Sequence, residues 1–102
     1  MAFTYENIKN WKFEEITHTY SSRDTILYAL GVGLGDDPLN HAELNYLFEE
    51  SEKFSALPTM PVVIGTPGFW ARNPKTGIDW VKVLHGEQKI ELHAPIPTAA
   101  TI

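Results

Sequence analysis

The chain contains no cysteine, which removes disulfide bridges, thiolate nucleophiles and Cys-based zinc sites and accords with a reducing compartment. Positive charge is scarce too: eight Lys and Arg stand against thirteen Asp and Glu, for a formal net charge of −5, and no basic block occurs. Such a surface cannot neutralise a run of phosphates or settle on an anionic bilayer, so neither nucleic acid nor membrane is expected as a partner. No apolar run approaches the ~18 residues of a spanning helix. The opening "MAFTYENIKNWKFEE" lacks the basic-then-apolar pattern of a signal peptide, so the chain reads as intracellular.

Apolar and aromatic material is plentiful. Hydrophobic residues make up 43% of the 102, with three Trp, four Tyr and five Phe, which is the composition of a globular protein. A chain this short forms at most one core, burying roughly 60–70% of its unfolded surface.

Local signals divide the chain. In "YSSRDTILYALGVGLGDDP", Ser21 stands as a helix cap, Asp24 places negative charge in the first turn, and Ile26, Leu27, Leu30 and Leu34 follow a helical stripe, predicting a helix from about Ser22 to Val32. Gly31, Gly33 and Gly35 weaken that helix in steps and Pro38 forbids its continuation. These glycines close a helix rather than open one after a strand, and Asp36 stands where a third glycine would be needed, so they are no phosphate cradle. "ELNYLFEE" alternates, with Leu44, Tyr46 and Phe48 on one face, and reads as a half-buried strand in which Leu47 is the exception. "SALPTMPVVIG" offers Thr59 as a cap and Pro61 in a first turn before Val62, Val63 and Ile64, predicting a buried helix.

"TPGFWARNPKTG" is loop by its Pro and Gly content, although Phe69 and Trp70 need cover. A long strand is expected from about Leu84 to His93, with Leu84, Ile90 and Leu92 on one side, His85, Glu87, Lys89, Glu91 and His93 on the other, and Pro95 and Pro97 ending it. With a Thr-rich strand around His18, the order is strand, helix, strand, buried helix, long strand. That favours an α+β fold, an antiparallel sheet around a buried helix. Three strands wrap a hydrophobic helix poorly, and the closing "TAATI" reads as another strand beginning. The expectation is that part of the sheet comes from a partner or from further sequence.

"YSSRDTILYALGVGLGDDP", "ELNYLFE", "FSALPTMPVVIG" and above all "GIDWVKVLHGEQKIELHAPIP" resemble, in order and spacing, the N-terminal half of the MaoC-like 2-enoyl-CoA hydratase 2 family, found also in peroxisomal multifunctional enzymes. The resemblance implies a hot-dog fold, incomplete in this chain. Residues 1–102 would be the noncatalytic half of a double hot dog, truncated before its last strands. It implies a lyase of fatty acid β-oxidation that adds water to trans-2-enoyl-CoA to give (3R)-3-hydroxyacyl-CoA, with no cofactor and no metal. The implied partners are the acyl-CoA substrate, a catalytic C-terminal hot-dog half and a second copy of the full protein. The implied location is the peroxisome in a eukaryote or the cytoplasm in a bacterium.

The family places its catalytic Asp and His in the C-terminal half, within G-D-x-N-P-L-H at the entry to a helix. Here Gly35, Asp36, Asp37, Pro38, Leu39, Asn40 and His41 approach that order, but Asn falls after Leu and the stretch follows a helix instead of entering one. Asp36 and His41 are therefore weak candidates, and a plain turn is the expected reading. Leu57, Met60, Val63, Trp80 and Leu84 are the expected acyl-tail residues, being apolar, on the buried helix or the strand facing it, and including an adaptable Met. Ordinary core is the competing reading for each. His85 and His93 lie eight residues apart, roughly 26 Å along a strand, too far to share a metal. His85 and Glu87 share a face and read as a solvated or inter-half contact, while His18 reads as structural. The alternatives are a stand-alone noncatalytic acyl-binding or partner-docking module and, more weakly, a single-hot-dog hydratase using Asp36 and His41.

Overall fold

A computed structural model describes residues 2–102. The chain is α+β, in order α1 (Tyr5–Lys9), β1 (Thr19–Tyr20), α2 (Ser22–Gly31), α3 (Leu44–Leu47) and β2 (Ala100–Thr101), with four 3-10 turns between α3 and β2. It divides into two compact units, the first built from the N-terminal sixteen residues with Thr66–Lys89, the second from Thr17–Gly65 with Ile90–Ile102.

In the second unit β1 and β2 pair antiparallel, Thr19 with Thr101 and Tyr20 with Ala100. His18 and Ile102 extend the ladder by exchanging both backbone hydrogen bonds at 2.9 Å. The two threonine hydroxyls meet at 2.8 Å on the exposed face, while Tyr20 faces inward. Tyr20, Ala56, Met60 and Ile64 form the core, with Tyr28, Ile96 and Ala100 packed against it. Two further bonds bind the C-terminal run to this unit: the Tyr20 hydroxyl donates to the Pro97 carbonyl at 2.6 Å, and the buried Thr25 hydroxyl to the Thr98 carbonyl at 2.7 Å.

Helix α2 is the element that local chemistry best accounts for. The Asp24 carboxylate accepts the Ser21 N–H at 2.8 Å, which satisfies an orphan donor and sets negative charge at the positive end of the helix. Its far end is a Schellman arrangement: Gly33, at φ +103°, donates to the Leu30 carbonyl and Leu34 to the Ala29 carbonyl, both at 3.1 Å.

Three expected elements are corrected. Residues 44–47 are helical, not a strand; Leu47, which breaks the alternation, is the i+3 neighbour of Leu44, and its side chain closes over Gly35 together with Leu30. Consecutive turns from Asp37 to Leu44 already coil the backbone before α3 begins. The expected buried helix at 60–64 is one 3-10 turn, Met60–Val62. Pro61 has no N–H to give and Gly65 turns the chain at φ +62°, leaving too few residues to propagate a helix. Residues 84–93 form no strand, since β1 and β2 are the ladder among the described residues and a strand requires a neighbour.

In the first unit, Thr4 caps α1 by accepting the Asn7 N–H at 3.1 Å, and the Asn7 amide donates to the Lys75 carbonyl at 2.9 Å. Thr76, 0% exposed, donates to the Asn73 carbonyl at 2.8 Å and accepts from the Ile78 N–H at 3.1 Å. Gly77 follows at φ +71°, where a Cβ would strike the backbone of Ala2 and Phe3. Trp70 packs against Trp11, centroids 6.0 Å apart, and takes Phe13 edge-on at 5.2 Å, which is the cover its place in a loop demanded.

Candidate functional site

The loop after α2 spends its polar groups on itself. The Gly35 N–H donates to the Glu43 carboxylate at 2.9 Å, the Asp37 carboxylate accepts from the Leu39 N–H at 3.0 Å, and the Asn40 side chain accepts from the Ala42 N–H at 3.2 Å. The last two are Asx turns, and together the three bonds fold the backbone locally and leave few donors for a ligand. Asp36 and His41 are exposed on this loop, with no hydrogen bond between them among the described residues.

The five residues expected to serve an acyl tail fall in both units. In the second, Met60 is 2% exposed and faces Tyr20, Ala56 and Ile64, Leu57 is half-buried one turn before it, and Val63 is 52% exposed. Beside this core lies an apolar groove of about 630 Å³ between residues 54–58 and 92–99, including Phe54, Pro58, Leu92 and Ile96. In the first unit Trp80 is 40% exposed, meets Phe69 edge-to-face at 6.1 Å, and carries the Arg72 guanidinium over its ring at 4.8 Å. Leu84, 91% exposed, lines a concavity of about 700 Å³ with Phe69, Trp70 and Val83 on its apolar side and His85 and Glu87 beside them.

Sequence reasoning did not anticipate Phe69 and Trp70 as lining residues, although two large aromatics in a Pro/Gly loop were the available signal. It also missed the groove, where Pro95 and Pro97 carried no meaning beyond ending a strand. His18 is structural, as expected: its Nδ1 accepts the Gly65 N–H at 2.9 Å and its ring meets Tyr20 edge-on. No helix among the described residues is long and apolar enough to cross a membrane.

The chain is of the small α+β class, with a two-stranded antiparallel sheet and few helices, and its sequence places it within a family. The chain belongs to the MFE-2 hydratase 2 N-terminal domain family, which matches residues 18–102. It is 34% identical over 95 residues to the peroxisomal multifunctional enzyme type 2 of Mus musculus, covering 89% of this chain and 13% of that protein. It is 37% identical over 92 residues to the enoyl-CoA hydratase ChsH3 of Mycobacterium tuberculosis, covering 84% and 31%. The peroxisomal enoyl-CoA hydratase 2 of Arabidopsis thaliana is 31% identical over 96 residues, covering 89% and 31%. The chain thus spans a third or less of the length of these relatives.

Proposed function

We propose that the chain is the noncatalytic hot-dog half of a 2-enoyl-CoA hydratase 2, the complete protein adding water to trans-2-enoyl-CoA to give (3R)-3-hydroxyacyl-CoA. The observation that carries this reading is the family match across residues 18–102. Hydration needs an acid/base pair sharing one water and N–H donors aimed at the thioester oxygen. In the loop at 35–43 the Gly35, Leu39 and Ala42 N–H groups are already taken by Glu43, Asp37 and Asn40. The acid/base work therefore belongs to a catalytic C-terminal half, and Asp36 and His41 make a turn.

In this reading Leu57, Met60 and Val63 of the second unit, and Trp80 and Leu84 of the first, are acyl-tail residues, each group within its own unit. Val63, Trp80 and Leu84 present the exposed apolar surface; Leu57 and Met60 support from within their unit. The complete protein works as a homodimer, in the peroxisome if the source is eukaryotic; relatives named peroxisomal support that location.

The test has two arms. The isolated chain gives no hydration of crotonyl-CoA above the uncatalysed rate. Residues 18–102 grafted over the matching segment of an active relative give an enzyme that hydrates enoyl-CoA, and Asp36→Asn or His41→Ala in the graft leaves the rate unchanged. Activity of the isolated chain, abolished by either substitution, refutes the assignment. Acyl-CoA binding by the isolated chain without hydration, joined to an inactive graft, would favour the stand-alone binding module.

A further inference from the structure

The groove between residues 54–58 and 92–99 lies wholly within the second unit, and both of its walls are tied down. On one side the Phe54 N–H donates to the Ser51 carbonyl at 3.0 Å and the Ser55 N–H to the Asn45 carbonyl at 2.8 Å. On the other, Ile96 packs against the core while the Pro97 and Thr98 carbonyls accept from Tyr20 and Thr25. Phe54, Pro58, Leu92 and Ile96 line an apolar hollow of about 630 Å³, room for a few side chains. The backbone around it has little to give. Pro58, Pro95 and Pro97 have no N–H, and two carbonyls of the far wall are already spent. An occupant must therefore satisfy its own backbone, as an α-helix does, and bind through side chains.

Charge decides which helix. The second unit holds eight Asp and Glu against two basic residues, Arg23 and Lys53. Glu49, Glu50 and Glu52 are exposed on the turn that runs into the Phe54 wall, and Glu91 adjoins Leu92 on the opposite one. Among the described residues none of these four carboxylates has an ion pair or a hydrogen bond, and Lys53 is the cation in the same turn. We propose that this groove docks an amphipathic helix of another protein, its apolar residues at i, i+3, i+4 and i+7 entering the hollow and its flanking Lys or Arg facing the four glutamates. The same acidic rim repels an anionic bilayer and the phosphates of acyl-CoA. A second copy of the chain does not fit, because α1 and α2 carry one basic residue each, Lys9 and Arg23, offset within the same helix by Glu6 and Asp24. This inference does not rest on the hydratase reading.

Fluorescence anisotropy reads the complex, the probe being a labelled helical peptide of Leu and Lys, about 18 residues long with Leu at the spacing above, titrated with the 102-residue chain at low and physiological salt. Saturable one-to-one binding that weakens as salt rises is expected. Leu92→Asp should weaken it about tenfold or more, because a carboxylate in the hollow loses water to apolar side chains. That variant also adds negative charge, so attraction of charge alone would leave affinity equal or higher, and a loss reads the groove itself. Leu27→Asp adds the same charge on the exposed face of α2 and should not weaken binding. Glu49, Glu50 and Glu52 changed together to Gln should weaken it about fivefold and flatten its dependence on salt. No saturable binding, Leu92→Asp binding as the parent does, a loss at Leu27→Asp as large as at Leu92→Asp, or equal affinity for a scrambled peptide or for one of Leu and Glu each overturns the proposal. If Leu92→Asp loses its far-UV helical signature, Pro58→Asp, exposed on the opposite wall, repeats the test with the same expected loss.

Discussion

Beyond the β1–β2 ladder and the packing of Ile96 and Ala100, two hydroxyls hold the C-terminal run to the rest of the second unit, and removing them tests how that unit is built. Tyr20 donates to Pro97 at 2.6 Å and Thr25 to Thr98 at 2.7 Å, and neither carbonyl has another partner among the described residues. Tyr20→Phe and Thr25→Val delete the donors while nearly conserving shape, so the loss is the bond plus an orphaned carbonyl, about 1–2 kcal/mol each. The chain's whole stability is on the order of 5–15 kcal/mol, so the pair matters. Because both bonds restrain adjacent residues of one segment, the double variant should lose less than the sum of the singles: once the segment is released, the second bond has less to hold. Tryptophan fluorescence is blind to this event, since Trp11, Trp70 and Trp80 all lie in the other unit. The suitable assay is hydrogen exchange at the His18 and Ile102 amides, which pair across the ladder. Each single variant should reduce their protection about tenfold, the equivalent of ~1.4 kcal/mol. Thr19→Val, which removes an exposed hydroxyl pair, serves as the control and should change protection little. If Thr25→Val behaves like Thr19→Val, or if the double variant is strictly additive, the tether argument is wrong.

Three further outcomes are expected. Burial raises the Tyr20 phenol above the ordinary 10.0, so the folded chain holds a proton that the unfolded chain releases. Stability is then full below pH 10, falls as pH climbs from 10 through the higher folded value, and loses this component of its pH dependence in Tyr20→Phe; absorbance titration should show one of the four tyrosines lagging. Gly77→Ala strains a positive-φ position by ~1–2 kcal/mol and collides with the backbone of Ala2 and Phe3, so the tryptophan signal of the first unit should shift to lower denaturant; Gly86→Ala, with open space around it, should be silent. In the complete hydratase carrying this segment, Met60→Trp should depress turnover of long-chain enoyl-CoA more than of crotonyl-CoA; equal losses would mean that Met60 is core alone and that overpacking, about 1–3 kcal/mol, is the whole effect.

What sequence alone determined about this chain is whatever a few adjacent residues settle among themselves. Helix α2 spans Ser22–Gly31 because Asp24 can reach back to Ser21 and because Gly33 and Leu34 can close its end, interactions complete within a turn of the chain. The turns around Asp37 and Asn40 are of the same kind. The family, too, was legible, in motifs from Tyr20 to Pro97. Tertiary structure decided the rest. Alternation at Leu44, Tyr46 and Phe48 suits a strand only where another strand lies alongside; without one, local turns and the Leu44–Leu47 spacing prevail as helix. The apolar stretch at 60–64 could not announce that Met60 and Ile64 would be buried and Val63 exposed, because that depends on Tyr20 and Ala56 arriving from elsewhere in the chain. Residues 84–93 carry a strand's pattern and no strand, since hydrogen bonds of a ladder are made between segments, and a sequence pattern names a face without supplying the partner that pairs with it.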